Sequence, residues 1–321
     1  MSTASSFSYV RPRDVRAALE AGARPGAAYL SGGTTLVDLW KLGAFSLATA
    51  VDVNGLLLRG IEAGPSGLRL GAGERMSDAA AHAGVAAHFP VVSQALLLSA
   101  SPQIRNMASL GGNLLQRPRS ISYRNPDPTL RDGPSRFDAI FGVTPASMAV
   151  HPSDFAVALR ALDGSIRLKT PEGGERSVKV GEFYKVPGDD LVLTTLRPGE
   201  LIVSIEAQLP FARHSAYVKV RDRASYQFAI VSAAVALRIE GGTIREARVA
   251  AGGVGTIPWR LPAVEAALRG QPTRAEAFQK GVADIGDGSA THGRNGYKVE
   301  LLRRTVIRAL GQAASQKEEI A

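Results

Sequence analysis

Apolar positions along the chain change their period several times, and each change marks an element. Residues 7–12 alternate as a short strand, and Val15, Ala18 and Leu19 recur at helical spacing within 13–21. Ala28-Tyr29-Leu30 predicts a strand that runs straight into Ser31-Gly32-Gly33-Thr34-Thr35, after which Leu36, Leu39 and Trp40 begin a helix. Residues 50–53 form another strand, closed by Asn54-Gly55. A second lobe opens near Gly60, with a strand at 68–72, a helix at 76–87 and an apolar helix at 91–99 that Ser101-Pro102 breaks. Residues 104–113 are turn-rich. Residues 117–142, rich in Pro, Arg, Asp and Ser, predict a long surface loop, and loops of that length are usually functional or mobile. A helix at 151–163 follows, then strands at 166–168, 191–195 and 202–209. The last third predicts a meandering sheet (217–220, 229–239, 244–252) and helices at 263–269 and 297–310. This is an α+β pattern.

Composition removes several chemistries. There is no cysteine among the 321 residues, so disulfides, cysteine nucleophiles and thiolate-ligated zinc or iron–sulfur clusters are excluded. The five histidines (His82, His88, His151, His214, His292) have no tight metal-ligand spacing, and no metal site is expected. The longest apolar run, 228–239, is about half of the ~20 residues a membrane helix needs. No charged stretch leads into an apolar core at the N-terminus, so the expected location is cytoplasmic, with export beside a signal-bearing partner left open. The formal net charge is +9, but the arginines are scattered and not interleaved with aromatics. That argues against nucleic acid and for an acidic partner or a phosphate-rich cofactor.

Two glycine turns carry candidate chemistry. In Leu30-Ser31-Gly32-Gly33-Thr34-Thr35-Leu36, between strand and helix, glycine permits positive φ and close backbone approach. Consecutive N–H groups at a helix start attract phosphate oxygens, and Ser31, Thr34 and Thr35 add hydroxyls. Neither G-x-G-x-x-G nor a Gly-Lys-Ser/Thr loop is present, so the turn is neither a Rossmann nor a Walker site. Ser109-Leu110-Gly111-Gly112-Asn113 repeats the composition, and two such turns have the chemistry to grip one pyrophosphate from two sides.

Ser31 to Leu39, 100–114, Gly252-Gly253-Val254-Gly255-Thr256-Ile257-Pro258-Trp259-Arg260 and 297–304 together resemble the FAD-binding subunits of the xanthine dehydrogenase, carbon monoxide dehydrogenase and bacterial aldehyde oxidoreductase family. The resemblance spans essentially the whole chain. It implies a vanillyl-alcohol-oxidase-type FAD-binding domain at 1–210, in lobes of about 1–57 and 58–210. A C-terminal α+β domain of the CO dehydrogenase flavoprotein type would occupy 211–321. It implies an electron-transfer subunit of a heterotrimeric molybdenum hydroxylase, taking electrons from a [2Fe–2S] subunit beside a molybdopterin subunit. Non-covalent FAD is the cofactor expected in this chain, and the acceptor is unspecified. Two rival readings are a flavin-free scaffold of such a complex and a stand-alone flavin oxidase.

By the same resemblance, Leu30 to Leu36, Ser101, Ser109, Gly111, Gly112 and Asn113 hold the cofactor, the two turns gripping its pyrophosphate. Asp154 matches an acid on the adenosine side, Ile202 packs near the cofactor, Lys219 sits by the flavin ring and Phe228 lies by its face. No catalytic residue is assigned. Aldehyde oxidoreductase relatives carry a [4Fe–4S] cluster on cysteines in the loop after the second turn. Ser120 stands where a cysteine is expected, so no cluster is expected here. The 117–142 loop, with Arg117, Arg119, Arg124, Arg131 and Arg136, is a candidate for part of the contact with the iron–sulfur partner, which is expected to present an acidic or mixed-charge surface.

Overall fold

The computed structural model describes residues 6–127 and 129–316. The expected outer domain limits, residues 1 and 321, lie outside the described residues. Three sheets follow one another along the chain.

The first sheet is parallel: β1 (Ser8–Val10), β2 (Ala27–Leu30) and β3 (Thr49–Asp52), in the order β1-β3-β2. Parallel neighbours need crossovers, and helices Val15–Gly22 and Leu36–Lys41 supply them. Asp14 caps the first, its carboxylate accepting the Ala17 N–H at 2.8 Å.

The second sheet is antiparallel and holds β4 (Ile61–Gly64), β5 (Gly67–Gly71), β6 (Ser165–Lys169), β7 (Glu175–Lys179) and β8 (Leu201–Ala207). Its order is β4-β5-β8-β6-β7. Helices Pro90–Leu98 and Asp154–Ala161 belong to its core, which includes Leu96, Phe155, Leu159, Ile166 and Ile205.

The third sheet contains β9 (Ser215–Val220), β10 (Val231–Glu240), β11 (Thr243–Gly252) and β12 (Trp259–Arg260), antiparallel in the order β12-β11-β10-β9. Alternate residues of β10 enter different cores. Ala233, Val235 and Leu237 pack with Leu302 and Val306 of helix Tyr297–Ala314, while Ala234 and Ala236 join the core of the second sheet. A strand buried on both faces must be apolar throughout, which accounts for the longest apolar run of the sequence.

Several expectations need correction. The helix expected at 76–87 is two, Met76–Ala81 and Ala83–His88, separated by an extended His82. Behind the break Gly84 packs on the Ala63 carbonyl of β4, where a Cβ would come within 2.6 Å. Residues 191–195 form no strand; Thr194 makes one isolated bridge to Tyr184. The 104–113 segment is largely helical turns, Pro102–Met107 and Leu110–Leu114. The 117–142 stretch is not simply a surface loop. Tyr123, Asp138, Ala139, Ile140 and Phe141 are buried, and Ile140 and Phe141 belong to the C-terminal core. Among the described residues, no helix is long and apolar enough to cross a membrane.

Candidate cofactor cleft

A cleft of about 1250 Å³ opens where the three sheet regions meet. Its size exceeds the roughly 300–1,000 Å³ of ordinary small-ligand pockets and suits a long dinucleotide. Ser31, Gly32, Gly33, Thr34, Thr35 and Leu36 line one wall, and Ser109, Gly111, Gly112 and Asn113 another. Asp154, Ile202 and Phe228 also line it. Leu30, Ser101 and Lys219 do not. Leu30 is committed to β2 and its carbonyl accepts the Val53 N–H at 3.0 Å. Ser101 caps helix Pro102–Met107 by accepting the Ile104 N–H at 3.3 Å.

The first turn keeps its backbone donors free of chain acceptors. Gly33 has φ +70°, a left-handed conformation that glycine adopts without strain. Among the described residues, no chain acceptor takes the backbone N–H of Gly32, Gly33, Thr34 or Thr35. Gly32 abuts the second wall so closely that a Cβ would overlap the Met107 carbonyl oxygen.

The second turn differs from its expected role. Its amides are already used: Leu110 N–H donates to Glu74 O, Gly111 N–H to Ala72 O and Asn113 N–H to Ser109 O. The Gly112 N–H donates to Ser109 Oγ at 3.2 Å. Asn113 Oδ1 accepts from Ser153 Oγ at 2.6 Å. The Gly-Gly pair here lets a capped helical turn pack on Ala72, against which a Gly111 Cβ would stand at 3.1 Å. Composition alone does not distinguish this turn from one with free amides.

A strut missed by sequence reasoning ties the two walls. The Asn54 amide donates to Ser31 O at 3.0 Å and to Asp52 Oδ1 at 2.7 Å. Arg75 donates to Asn54 Oδ1 at 3.0 Å and to Met107 O at 2.5 Å. Tyr9 donates to the other oxygen of Asp52. In the sequence Asn54-Gly55 looks like a turn and nothing more, because its partners lie 21 and 23 residues away.

Asp154 begins helix Asp154–Ala161, with Ser153 as the cap, and only 6% of its side chain is exposed. Tyr217 Oη donates to it at 2.6 Å, Ser99 Oγ at 3.0 Å and Lys219 Nζ at 2.7 Å. The Lys219 side chain is 0% exposed and also donates to Leu98 O at 3.1 Å. Asp154 and Lys219 were expected at opposite ends of the cofactor. The structure pairs them directly, so Lys219 meets the cleft only through the carboxylate. Burial, then the Asp154 charge, pushes the Tyr217 hydroxyl well above its usual range, which keeps it a proton donor.

Backbone strain collects at the rim. Ala100 (φ 46°) and Tyr226 (φ 56°) are both left-handed, line the cleft and are joined by a Tyr226 N–H to Ala100 carbonyl bond of 3.0 Å. Such conformations cost of order 1–3 kcal/mol each and cluster at functional sites.

The arginines expected to be a free docking surface are engaged within the chain. Arg117 lies over the Phe45 ring at 5.4 Å and donates to Ala44 O at 3.3 Å. Arg124 pairs with Asp38, Arg119 stands 3.9 Å from the same carboxylate, and the Arg119 guanidinium sits 5.4 Å from the Phe228 ring centre. The segment therefore straps the first lobe to the C-terminal one.

Two buried groups brace the surroundings. Lys298, 1% exposed, donates to Phe137 O at 2.6 Å, Asp138 O at 2.8 Å and Gly253 O at 2.7 Å. Burial pulls it down to about 8, yet three carbonyls match the three N–H bonds of an ammonium. His151 is pushed down to about 3 by burial, and its Nδ1 accepts the Ser153 N–H at 3.3 Å, so the neutral ring is the folded form. Between pH ~6.5 and ~3 the unfolded chain then binds a proton that the folded chain refuses. Stability is therefore lost as pH falls through that window. His151→Asn should reduce the loss of urea stability between pH 7 and pH 5 by about 2 kcal/mol. An unchanged pH slope would show that another group carries it.

Comparison with known proteins agrees with this geometry. Residues 5–211 match the family model of the FAD binding domain in molybdopterin dehydrogenase, and residues 215–313 that of the CO dehydrogenase flavoprotein C-terminal domain. The aldehyde oxidoreductase FAD-binding subunit PaoB of Escherichia coli (strain K12) is 40% identical over 97% of this chain and 99% of its own. The carbon monoxide dehydrogenase medium chain of Afipia carboxidovorans is 26% identical, over 96% of this chain and 98% of its own. In fold, the chain superposes on reconstituted CO dehydrogenase from Oligotropha carboxidovorans with a TM-score of 0.78 at 24% identity, covering 98% of this chain and 100% of that one. Two family models that together match nearly the whole chain, with a relative 40% identical along it, place this protein in the family of FAD-binding flavoproteins of molybdopterin dehydrogenases.

Proposed function

We propose that the chain binds one FAD non-covalently and serves as the electron-transfer flavoprotein of a molybdenum hydroxylase. The observation that carries this reading is the stretch Gly32–Thr35, whose N–H groups have no chain acceptor among the described residues and which lines a space large enough for a dinucleotide. When bound, FAD supplies a centre that takes up and releases electrons singly or in pairs. The chain's own part is placement. The first turn binds the pyrophosphate through its amides and the Ser31, Thr34 and Thr35 hydroxyls. The second turn, with Gly112 exposed, shapes the opposite wall. Ile202 and Phe228 supply apolar surface. Asp154, held by three donors, presents a fixed negative wall, and Lys219 fixes Asp154.

The partners in this reading are a [2Fe–2S] subunit and a molybdopterin subunit, in keeping with relatives described as medium chains or subunits of dehydrogenases. The FAD-binding unit takes residues 1–210 and the flavoprotein C-terminal unit 211–321, and the complex works in the cytoplasm. The chain has no cysteine, so thiolate-bound clusters belong to the partners.

Purified protein should show the visible absorption of oxidised flavin, and acid precipitation should move all of it to the supernatant as FAD. A colourless protein that takes up no added FAD would favour the scaffold reading. Flavin retained in the pellet would overturn non-covalent binding.

A further inference from the structure

The two glycine turns are joined through one residue, Arg75. Its backbone pairs with Ser109, the cap of the second turn, in an isolated antiparallel bridge. The bonds on either side of it are Met76 N–H to Ala108 O and Leu110 N–H to Glu74 O, both 3.0 Å. Its guanidinium donates to Met107 O at 2.5 Å, and Met107 O is the carbonyl on which Gly32 of the first turn rests. A second guanidinium nitrogen donates to Asn54 Oδ1 at 3.0 Å, and the Asn54 amide in turn donates to Ser31 O at 3.0 Å. Asn54 is itself held on Asp52 Oδ1, by its amide at 2.7 Å and its backbone N–H at 2.9 Å.

The grip on Ser31 O has a consequence for the free donors of the first turn. A peptide group is planar and trans, so the C=O of Ser31 and the N–H of Gly32 point in opposite directions. Whatever holds the Ser31 oxygen therefore aims the Gly32 N–H, which has no chain acceptor among the described residues. Arg75 also keeps its charge free of a carboxylate contact: it makes no ion pair among the described residues. Burial and then the charge of Arg59 pull its guanidinium below the usual value, while Asp78, Asp52 and Glu74 act against them without pairing. Neither Arg75 nor Asn54 lines the cleft, so both act through the chain they hold.

We propose that Arg75 and Asn54 are positioning residues for the FAD pyrophosphate: the guanidinium sets the separation of the two glycine turns, and Asn54 aims the Gly32 N–H at the phosphate oxygens. The proposal rests on the reading of the large cleft as the flavin site. A hydrogen bond to an anion is directional and worth more than one between neutral groups, so a donor held in line before the ligand arrives binds it more tightly than one free to rotate.

The test is release of FAD from the loaded full chain, followed by flavin fluorescence after dilution. Asn54→Ala frees the Ser31 peptide and should speed release about tenfold, the worth of roughly one hydrogen bond to a charged group. Arg75→Met should do the same. Arg75→Lys keeps the charge without the fork and should fall between that variant and the wild type. Because both side chains act through one strut, Asn54→Ala/Arg75→Met should release FAD no faster than the faster of the two single variants. Circular dichroism checks the fold, and Asn54→Ala with Arg75→Lys serve if Arg75→Met does not fold. Wild-type release from Asn54→Ala and Arg75→Lys overturns the proposal and leaves the strut a structural tie. Accelerations that multiply in the double variant overturn it too, since the two residues would then act independently. Failure of the flavin reading is visible separately, as a wild-type chain that takes up no FAD.

Discussion

Lys219→Met should lower the stability of the chain by about 3–5 kcal/mol, because it leaves the Asp154 carboxylate buried without its countercharge. Asp154 keeps only the Tyr217 and Ser99 hydroxyls as donors in that variant, and neither carries charge. Asp154→Ala should cost a similar amount, since Lys219 Nζ would retain one backbone carbonyl at 3.1 Å in a fully buried setting. The double variant Asp154→Ala/Lys219→Met should recover a large part of the loss, as removal of both charges leaves no unpaired ion. Urea denaturation of the four proteins measures this. Additive losses in the double variant would show that the two side chains contribute independently and that the contact is not an energetic pair.

Gly32→Val should abolish FAD loading, reducing flavin content at least tenfold. A side chain there meets the Met107 carbonyl and the Ala108 backbone, so the first wall must move away from the second. Neither neighbour is the flexible end of a side chain. Gly112→Val is the informative contrast. Gly112 is exposed, has no positive φ, and its Cβ would meet only Ser109 Oγ at 3.0 Å. The fold should survive, with flavin lowered severalfold by bulk placed in the cleft wall. Flavin absorbance against protein concentration, with circular dichroism as the check on folding, separates the cases. Normal flavin in Gly32→Val would show that the turns are scaffolding only.

Much of this was legible in the sequence where the determining interactions are local. The strand–turn–helix at 27–41 announces itself through an apolar strand, two glycines and a helical repeat, and the structure forms those elements there. The 3.6-residue pattern of Val299, Leu302, Val306, Ala309, Leu310 and Ala313 gives the C-terminal helix, whose buried face is that stripe. Elements defined by long-range partners were not legible. β7, Glu-Arg-Ser-Val-Lys, is a polar edge strand with one buried residue, so it carries no alternation to detect. The Asp154 site draws on residues 55, 63 and 65 positions away, which no local pattern connects. The second glycine turn matched the first in composition, but its amides find chain acceptors such as Ala72 O and Glu74 O, and those are set by tertiary packing. The loop arginines illustrate the same limit: their charge was visible, but not Asp38, Phe45 and Phe228 beneath them.

The Lys298 clamp sets an order on biosynthesis. Its bonds to Phe137 and Asp138 span 161 and 160 residues, so the end of the 117–142 stretch cannot be fastened until the C-terminal helix has left the ribosome. At roughly 5–20 residues per second this leaves a delay on the order of ten seconds after the loop is made. During that interval the FAD-binding lobes, already synthesised, are free to pack. The first glycine turn is thus made early, while the fastening of residues 137 and 138 to the C-terminal helix is a late product of translation, and any chain truncated before residue 298 would lack that clamp altogether.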